Sequence, residues 1–202
     1  MPRLADTKAL TFDLFGTVLD LGGSLTPFIS EFLSDVEATV AAEEFWEYWR
    51  LRQRLEQFQD TIMQLGHSGY LETVRRAAAY TLKRHHIPAT DDTLQALMAA
   101  WPHLQPFPEV VAALERLQKS YRLVVLSNGD PEFLQHLVSN QVRWAFDDII
   151  SVTTAGAFKP HPAVYRGAAR DLGLEVGECL MVSANSFDVV GARACGFRAA
   201  LV

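Results

Sequence analysis

Five short runs of apolar residues, each bounded by turn-forming residues, set the architecture open to this chain. They are Ala9–Phe12, Leu123–Leu126, Ile149–Val152, Leu180–Val182 and the closing Ala199–Val202. Continuous runs rich in Val, Ile and Leu belong to strands covered on both faces, the condition of a parallel sheet. Between them the apolar spacing becomes that of helices: Val110, Val111, Leu114 and Leu117; Phe133, Leu134 and Leu137; Val164, Ala168 and Leu172. Strands alternating with helices predict an open α/β sheet with right-handed crossovers.

The stretch from about Leu25 to Trp101 breaks the alternation. It shows only helical periods: Leu51, Leu55 and Phe58, then Leu71, Val74, Ala78 and Leu82, then Leu94, Leu97 and Met98. Pro102, Pro106 and Pro108 punctuate the return to the sheet, because proline cannot continue a helix. The expectation is an all-helical cap inserted just after the first strand, enclosing a site at the sheet's carboxyl edge. Residues 1–18 and 105–202 would form the sheet core and 19–104 the cap. A chain of 202 residues has room for one core and a small insertion of this kind. It holds no internal repeat and no low-complexity segment.

Charge narrows the function. Eighteen basic against twenty-four acidic residues leave −6, the reverse of the balance a nucleic-acid-binding domain carries. The densest basic stretch, Arg75 and Arg76 to Lys83, Arg84, His85 and His86, has the spacing of a solvated helix face. Cys179 and Cys195 lie in apolar surroundings, in an expected strand and an expected helix, and suggest neither disulfide nor metal. The opening MPRLADTKAL is too short and too polar for a signal peptide. No window approaches the roughly 18 apolar residues of a membrane span. A cytoplasmic, reduced enzyme without membrane or nucleic-acid partners fits. His85, His86, His103, His136 and His161 show neither ligand spacing nor the context of a triad.

The chemistry gathers where the expected strands end. The first run leads into Asp13, followed by the turn of Gly16 and Thr17. The second leads into Ser127, Asn128 and Gly129; the third into Ala157, Phe158, Lys159 and Pro160; the fourth into Ser183, Asn185, Phe187 and Asp188. One aspartate at a strand end is most often a turn cap. Four polar clusters, all at carboxyl ends, mark a site, because ligands of open α/β sheets bind there.

This order of motifs resembles the haloacid dehalogenase superfamily, whose members pair a Rossmann-like core with a cap after the first strand. The finer details are similar to the L-2-haloacid dehalogenases: the Asp-Leu-Phe-Gly-Thr turn of 13–17, Ser127-Asn128-Gly129, Lys159-Pro160 with Tyr165 six positions past the lysine, and Asp188 preceded by Ser183 and Asn185. The segment Trp49, Arg50, Arg52 and Gln53 is similar to the cap arginine region of those enzymes. Most members of the superfamily are Mg²⁺ phosphatases with a second aspartate two residues past the nucleophile, which protonates the leaving oxygen. Here that position is Phe15, and a halide needs no such proton. Near Asp188, Ser and Asn stand where phosphatases usually carry another carboxylate, and Mg²⁺ needs a shell of hard oxygens.

The resemblance therefore implies metal- and cofactor-free hydrolysis of a small L-2-haloalkanoate through an ester on Asp13, with inversion at C2. It assigns Lys159 to keep Asp13 ionised, Ser127 and the backbone amides of the turn, from Leu14 and Phe15 on, to hold the substrate carboxylate, and Thr17 to brace the turn. Arg50 and Asn128 would receive the halide. Asp188, oriented with Ser183 and Asn185, would position or deprotonate water. Tyr70 and Phe187 are either pocket walls or plain core packing, and Tyr165 joins the substrate-binding set. Arg50, Arg52 and Arg54 compete for the cap arginine; the neighbouring Trp49 favours Arg50. A Mg²⁺ phosphatase, a hydrolase opening a strained cyclic amino acid, and a non-catalytic binding protein are the alternatives. The oligomeric state is open, a homodimer being what the resemblance implies. Related enzymes usually continue past the fifth strand into another helix; a missing tail would expose a sheet edge.

Overall fold

In the computed structural model, residues 6–202 are described; the first five residues of the polar opening stretch lie outside them. The first apolar run forms β1 (Ala9–Phe12). The others form β4 (Arg122–Ser127), β5 (Asp148–Ser151), β6 (Cys179–Ser183) and β7 (Arg198–Leu201). The five pair in parallel in the order β5-β4-β1-β6-β7. Their apolar continuity has the expected cause. Successive side chains alternate between two cores: Leu10 and Phe12 of β1, with Leu123 and Val125 of β4, enter one. Ala9, Val124, Leu126, Cys179 and Met181 enter the other.

Helices α5 (Val110–Leu117) and α6 (Pro131–Leu137) cover the first face through Val110, Leu114, Leu134 and Leu137. Helices α7 (Pro162–Leu172) and α8 (Ser186–Ala194) cover the second through Val164, Tyr165, Ala168 and Ala192. The winding therefore reverses at β1, whose carboxyl end is the switch point where such sheets bind ligands. Phe12 is in register with Val125 and Val182, so Asp13 emerges between two neighbouring strand ends.

Between β1 and β4 the chain leaves the sheet. The short strands β2 (Leu19–Asp20) and β3 (Gln105–Pro106) pair antiparallel. Four helices lie between them: α1 (Leu21–Asp35), α2 (Ala42–Ile62), α3 (Tyr70–Arg84) and α4 (Asp91–Met98). The Asp20 side chain caps α1 by accepting from the Gly23 amide at 2.8 Å, satisfying a donor the helix leaves open. Thr90 and Thr93 form a reciprocal capping box on α4. None of these helices, nor any other described one, is long and apolar enough to cross a membrane.

Helix α2 departs from the pattern its leucines suggest. Leu51 and Leu55 are exposed, while Gln53, Glu56, Gln57 and Asp60 are buried. The helix turns its polar stripe inward because that stripe has partners. Gln57 Nε2 donates to Thr73 Oγ1 at 3.4 Å, Ser68 Oγ donates to Asp60, and Arg52 pairs with Glu56. The amino-terminal half packs conventionally, through Phe45 and Trp49 against Trp46, Trp101 and His85. The free thiols Cys179 and Cys195 are both buried, the first opening β6 and the second closing α8. Burial pushes the Cys179 thiol up to about 11, where it is inert.

Candidate active site

Asp13, nearly closed off from solvent, is held at both oxygens. Lys159 Nζ lies 3.3 Å from Oδ1. Oδ2 accepts from Thr17 Oγ1 at 3.0 Å and from Asn185 Nδ2 at 2.8 Å. Thr17 is itself fixed by the Ala184 amide, which donates to its hydroxyl oxygen at 3.0 Å. The turn is tight: Leu14 O accepts from the amides of Val18 and Leu19, and Gly16 stands at φ 87°, a left-handed conformation open to glycine at little cost.

Lys159 is fully buried and its ammonium joins two carboxylates, reaching Asp188 Oδ2 at 2.8 Å. Tyr165 donates its hydroxyl to Asp188 Oδ1 at 2.7 Å. Burial raises the Asp188 carboxyl above its ordinary range, with Asp13 adding to the rise, and Lys159 and Tyr165 oppose it. Burial likewise pushes the Tyr165 phenol far up, aided by the Asp188 charge it faces. The lysine does not sit at a strand end. It comes well after β5, on a loop that follows the 3₁₀ turn Val152–Ala155, and Asn128 brings it in: Oδ1 accepts from the Lys159 amide at 2.9 Å.

The remaining predicted residues fall into three groups. Around Asp13 lies a small, tight pocket walled by Phe15, Arg50, Tyr70, Asn128, Asn185 and Phe187. Larger clefts lie beside α7, beside Trp144, between Phe58 and Phe187, and beside Asp60. Their buried polar side chains, Ser151 and Asp60, are occupied by a loop carbonyl and by Ser68, so chemistry rather than size selects the site. Phe15 stacks on Tyr70 with ring centres 3.9 Å apart. Burial pushes the Tyr70 hydroxyl up to about 12 against the pull of Arg50. Ser127 lies beneath, fully buried, with its Oγ among the atoms that have no hydrogen-bond partner. Ser183 Oγ accepts from the Asn185 amide at 3.1 Å.

Two residues of the expected substrate-binding set lie off the pocket wall. Leu14 points into the core beside the sheet, leaving only its backbone at the turn, and Tyr165 sits behind Asp188 rather than on the pocket wall. Asp188 too lies behind Lys159. Of the competing arginines, Arg52 turns away to Glu56 and the ring of Tyr80. Arg50 lines the pocket, donating to Gln53 Oε1 at 2.7 Å and to the Phe15 carbonyl at 3.4 Å. Arg54 also reaches the site, donating to Asn185 Oδ1 at 2.7 Å.

Two contributors were not anticipated from the sequence. Gln57 Oε1 accepts from Asn128 Nδ2 at 3.3 Å and lines the pocket. His67, on the loop between α2 and α3, lies 3.0 Å from the Asn128 carbonyl, and its ring is tilted by 32° against Phe158 with centres 4.0 Å apart. That carbonyl can only accept, so Nε2 carries the hydrogen, and Nδ1 receives the Gly69 amide at 3.3 Å. Gln57 carried a signal, standing one helical turn past Gln53 on the inward face; a lone histidine in a loop carried none.

A family model for haloacid dehalogenase-like hydrolases matches residues 7–196. The chain is 32% identical over 192 residues to (S)-2-haloacid dehalogenase H-109 of Pseudomonas putida, spanning 94% of this chain and 83% of that protein. It is 34% identical over 201 residues to the (S)-2-haloacid dehalogenase of Xanthobacter autotrophicus, spanning 96% and 74%. The solved structure of L-2-haloacid dehalogenase from X. autotrophicus with chloropropionic acid covalently bound matches with a TM-score of 0.85 at 31% identity, covering 97% of this chain and 77% of that one. With the motifs in their expected order on the expected sheet, this chain belongs to the haloacid dehalogenase-like hydrolase family.

Proposed function

We propose that the protein hydrolyses short L-2-haloalkanoates to 2-hydroxy acids of inverted configuration, through an ester on Asp13. A carboxylate oxygen of Asp13 bonds to C2 as the carbon–halogen bond breaks, and the halide leaves with the bonding pair. Water then adds to the aspartyl carbonyl carbon and gives one proton to Asp188; the acyl–oxygen bond breaks, the departing alkoxide oxygen takes the other proton from the new Asp13 carboxyl, and Asp188 passes its proton to solvent. The released 2-hydroxy acid keeps the inverted centre, and Asp13 is regenerated. This divides one difficult displacement into two easier steps.

The observation that carries the reading is the Asp13–Lys159–Asp188 chain, whose first two members line a small, partly aromatic pocket. Three cations (Lys159, Arg50 and Arg54) face two carboxylates, a surplus of one positive charge that suits a monoanionic substrate. The buried Ser127 hydroxyl, without a hydrogen-bond partner, is the donor that would turn to the substrate carboxylate, and Arg50 with Asn128 line the pocket where the halide would depart. Donors aimed where charge develops act most strongly in a site shielded from water.

A phosphatase reading fares worse on the same residues. Phe15 offers no proton, and its carbonyl, which would help hold a metal, already faces Arg50 and Asn185 Nδ2, each at 3.4 Å. An ammonium stands between the two carboxylates. These residues do not fit a divalent cation. The pairs of curated dehalogenases with this chain support the choice at carbon, and the family's breadth leaves ring opening of a strained cyclic amino acid as the remaining competitor.

The test is halide release from L- and D-2-chloropropionate, with and without EDTA, by wild type and Asp13→Asn. Metal-independent release from the L-substrate alone, lost in the variant, is expected. Turnover of phosphate esters in Mg²⁺ without any halide release would sink the reading. The division at residues 18 and 104, a cytoplasmic setting and a homodimer belong to the same proposal. The β2–β3 ribbon supports the first, and the two reduced thiols the second. A second copy would cover Leu51, Leu55 and Ile62, exposed along one face of α2, and sedimentation of wild type against Leu55→Asp would reveal it.

A further inference from the structure

The Asn185 side chain can face Asp13 in two ways, and only one is useful. An amide presents an acceptor at one end and donors at the other. Asp13 Oδ2 can only accept, so Nδ2 must face it, as it does at 2.8 Å. A half-turn would set Oδ1 against the carboxylate and replace a charge-assisted hydrogen bond with repulsion. Ser183 anchors the Asn185 backbone, but says nothing of the amide's orientation. The Phe15 carbonyl favours the useful orientation at a long 3.4 Å. The strong selector is Arg54, a guanidinium that can only donate, 2.7 Å from Oδ1.

Arg54 is costly to keep where it is. Burial and the neighbouring Arg50, one helical turn away, both push its pKa down, and its Nε is buried without a hydrogen-bond partner. Among the described residues it makes no direct ion pair with a carboxylate, and the attraction of Asp13 reaches it through the amide between them. It also belongs to the inserted helices, whereas Asn185 opens α8 on the sheet.

We propose that Arg54 is a positioning residue, which through Asn185 keeps an amide hydrogen bond on the attacking carboxylate of Asp13 and so makes that geometry depend on the seating of α2. The inference rests on the reading of Asp13 as nucleophile. Asp13 touches the substrate; Arg54 acts one side chain removed.

A double-mutant cycle isolates the path. Arg54, whose guanidinium carbon lies 5.9 Å from the centre of the Phe187 ring, is best replaced by methionine, since Arg54→Met keeps a long side chain while removing every donor. In single turnovers it should slow ester formation by about ten- to a hundredfold, the scale of a small misplacement of a reacting group, with KM within about twofold of wild type. Arg54→Lys, which retains one donor, should restore part of the loss. In an Asn185→Ala background the same Arg54→Met change should cost nothing further, because groups acting in series are not additive. Additive losses, or a raised KM at unchanged kcat, would overturn the proposal and make Arg54 a substrate contact. A loss matched by a fall in folded protein would overturn it in favour of a structural role. A ligand-free readout separates this from the dehalogenase reading: Arg54→Met should speed solvent exchange of the Asn185 side-chain amide protons at least tenfold. Unchanged exchange would overturn the proposal even in an active enzyme. Faster exchange in a protein that releases no halide would support it while the substrate assignment fell.

Discussion

Lys159 sits in a place closed to water with two carboxylates within reach: Asp188 at 2.8 Å and Asp13 at 3.3 Å. Removing either carboxylate would leave a buried cation partly compensated, which costs more than the pair is worth. Asp188 shows the balance from the other side. Burial lifts its carboxyl above the ordinary value near ~3.9, while the Tyr165 hydroxyl and Lys159 draw it back. A base must be ionised to accept a proton, so the acid limb of ester hydrolysis should lie above the range of an exposed aspartate. Tyr165→Phe removes a hydrogen bond to the charged form and should move that limb up by roughly one pH unit, the equivalent of one net hydrogen bond. Stability follows the opposite sign from a typical salt-bridged aspartate. Asp188 binds its proton more tightly in the folded state, so its contribution falls as pH rises from the unfolded value through the raised one. Stopped-flow pH profiles of the two proteins check the first statement; an unmoved limb would remove Asp188 from the role of base.

At the scale of elements, the sheet was legible and the helical layer only partly so. Strand runs showed themselves because burial on both faces forces continuous apolar sequence, and each motif lay beyond one of them. Lys159 fitted the pattern less closely than the others: a 3₁₀ turn and loop intervene, and its place is set by the Asn128 side chain. Helix α2 misled because a helix beside a polar site buries polar residues, so Leu51 and Leu55 mark its outer face. His67 and the Arg54–Asn185 contact could not be read at all, since both depend on how a loop or helix settles across the sheet edge. Close approach of backbones is equally silent. Gly191 on α8 lets Pro160 and Tyr165 come near: a Cβ there would lie 2.5 Å from Pro160 Cβ and 2.9 Å from the Tyr165 hydroxyl. Gly191→Ala should therefore cost about 1–3 kcal/mol of stability, as overpacking does, and slow ester hydrolysis more than ester formation. Thermal unfolding and single turnovers check both; an unchanged melting temperature would show that α8 gives way freely.

Across the whole molecule, two layers built by different rules meet at one carboxylate. The parallel sheet reverses its winding at β1 and delivers Asp13, Asn128 and Asn185 from adjacent strand ends. The inserted helices supply Arg50, Arg54, Gln57 and Tyr70 from above. Aromatic contacts tie the two together, from Phe15 to Tyr70 and on to Trp101. A substrate enclosed between them loses its water as it meets the nucleophile. In this chemistry Asp13, and not water, attacks carbon. The most direct measurement is a single turnover of L-2-chloropropionate by excess enzyme in water enriched in ¹⁸O, followed by mass spectrometry. Attack by Asp13 leaves ordinary oxygen in the first product and puts one ¹⁸O in the peptide bearing Asp13; ¹⁸O in that first product, with Asp13 unlabelled, would mean that water attacks carbon directly.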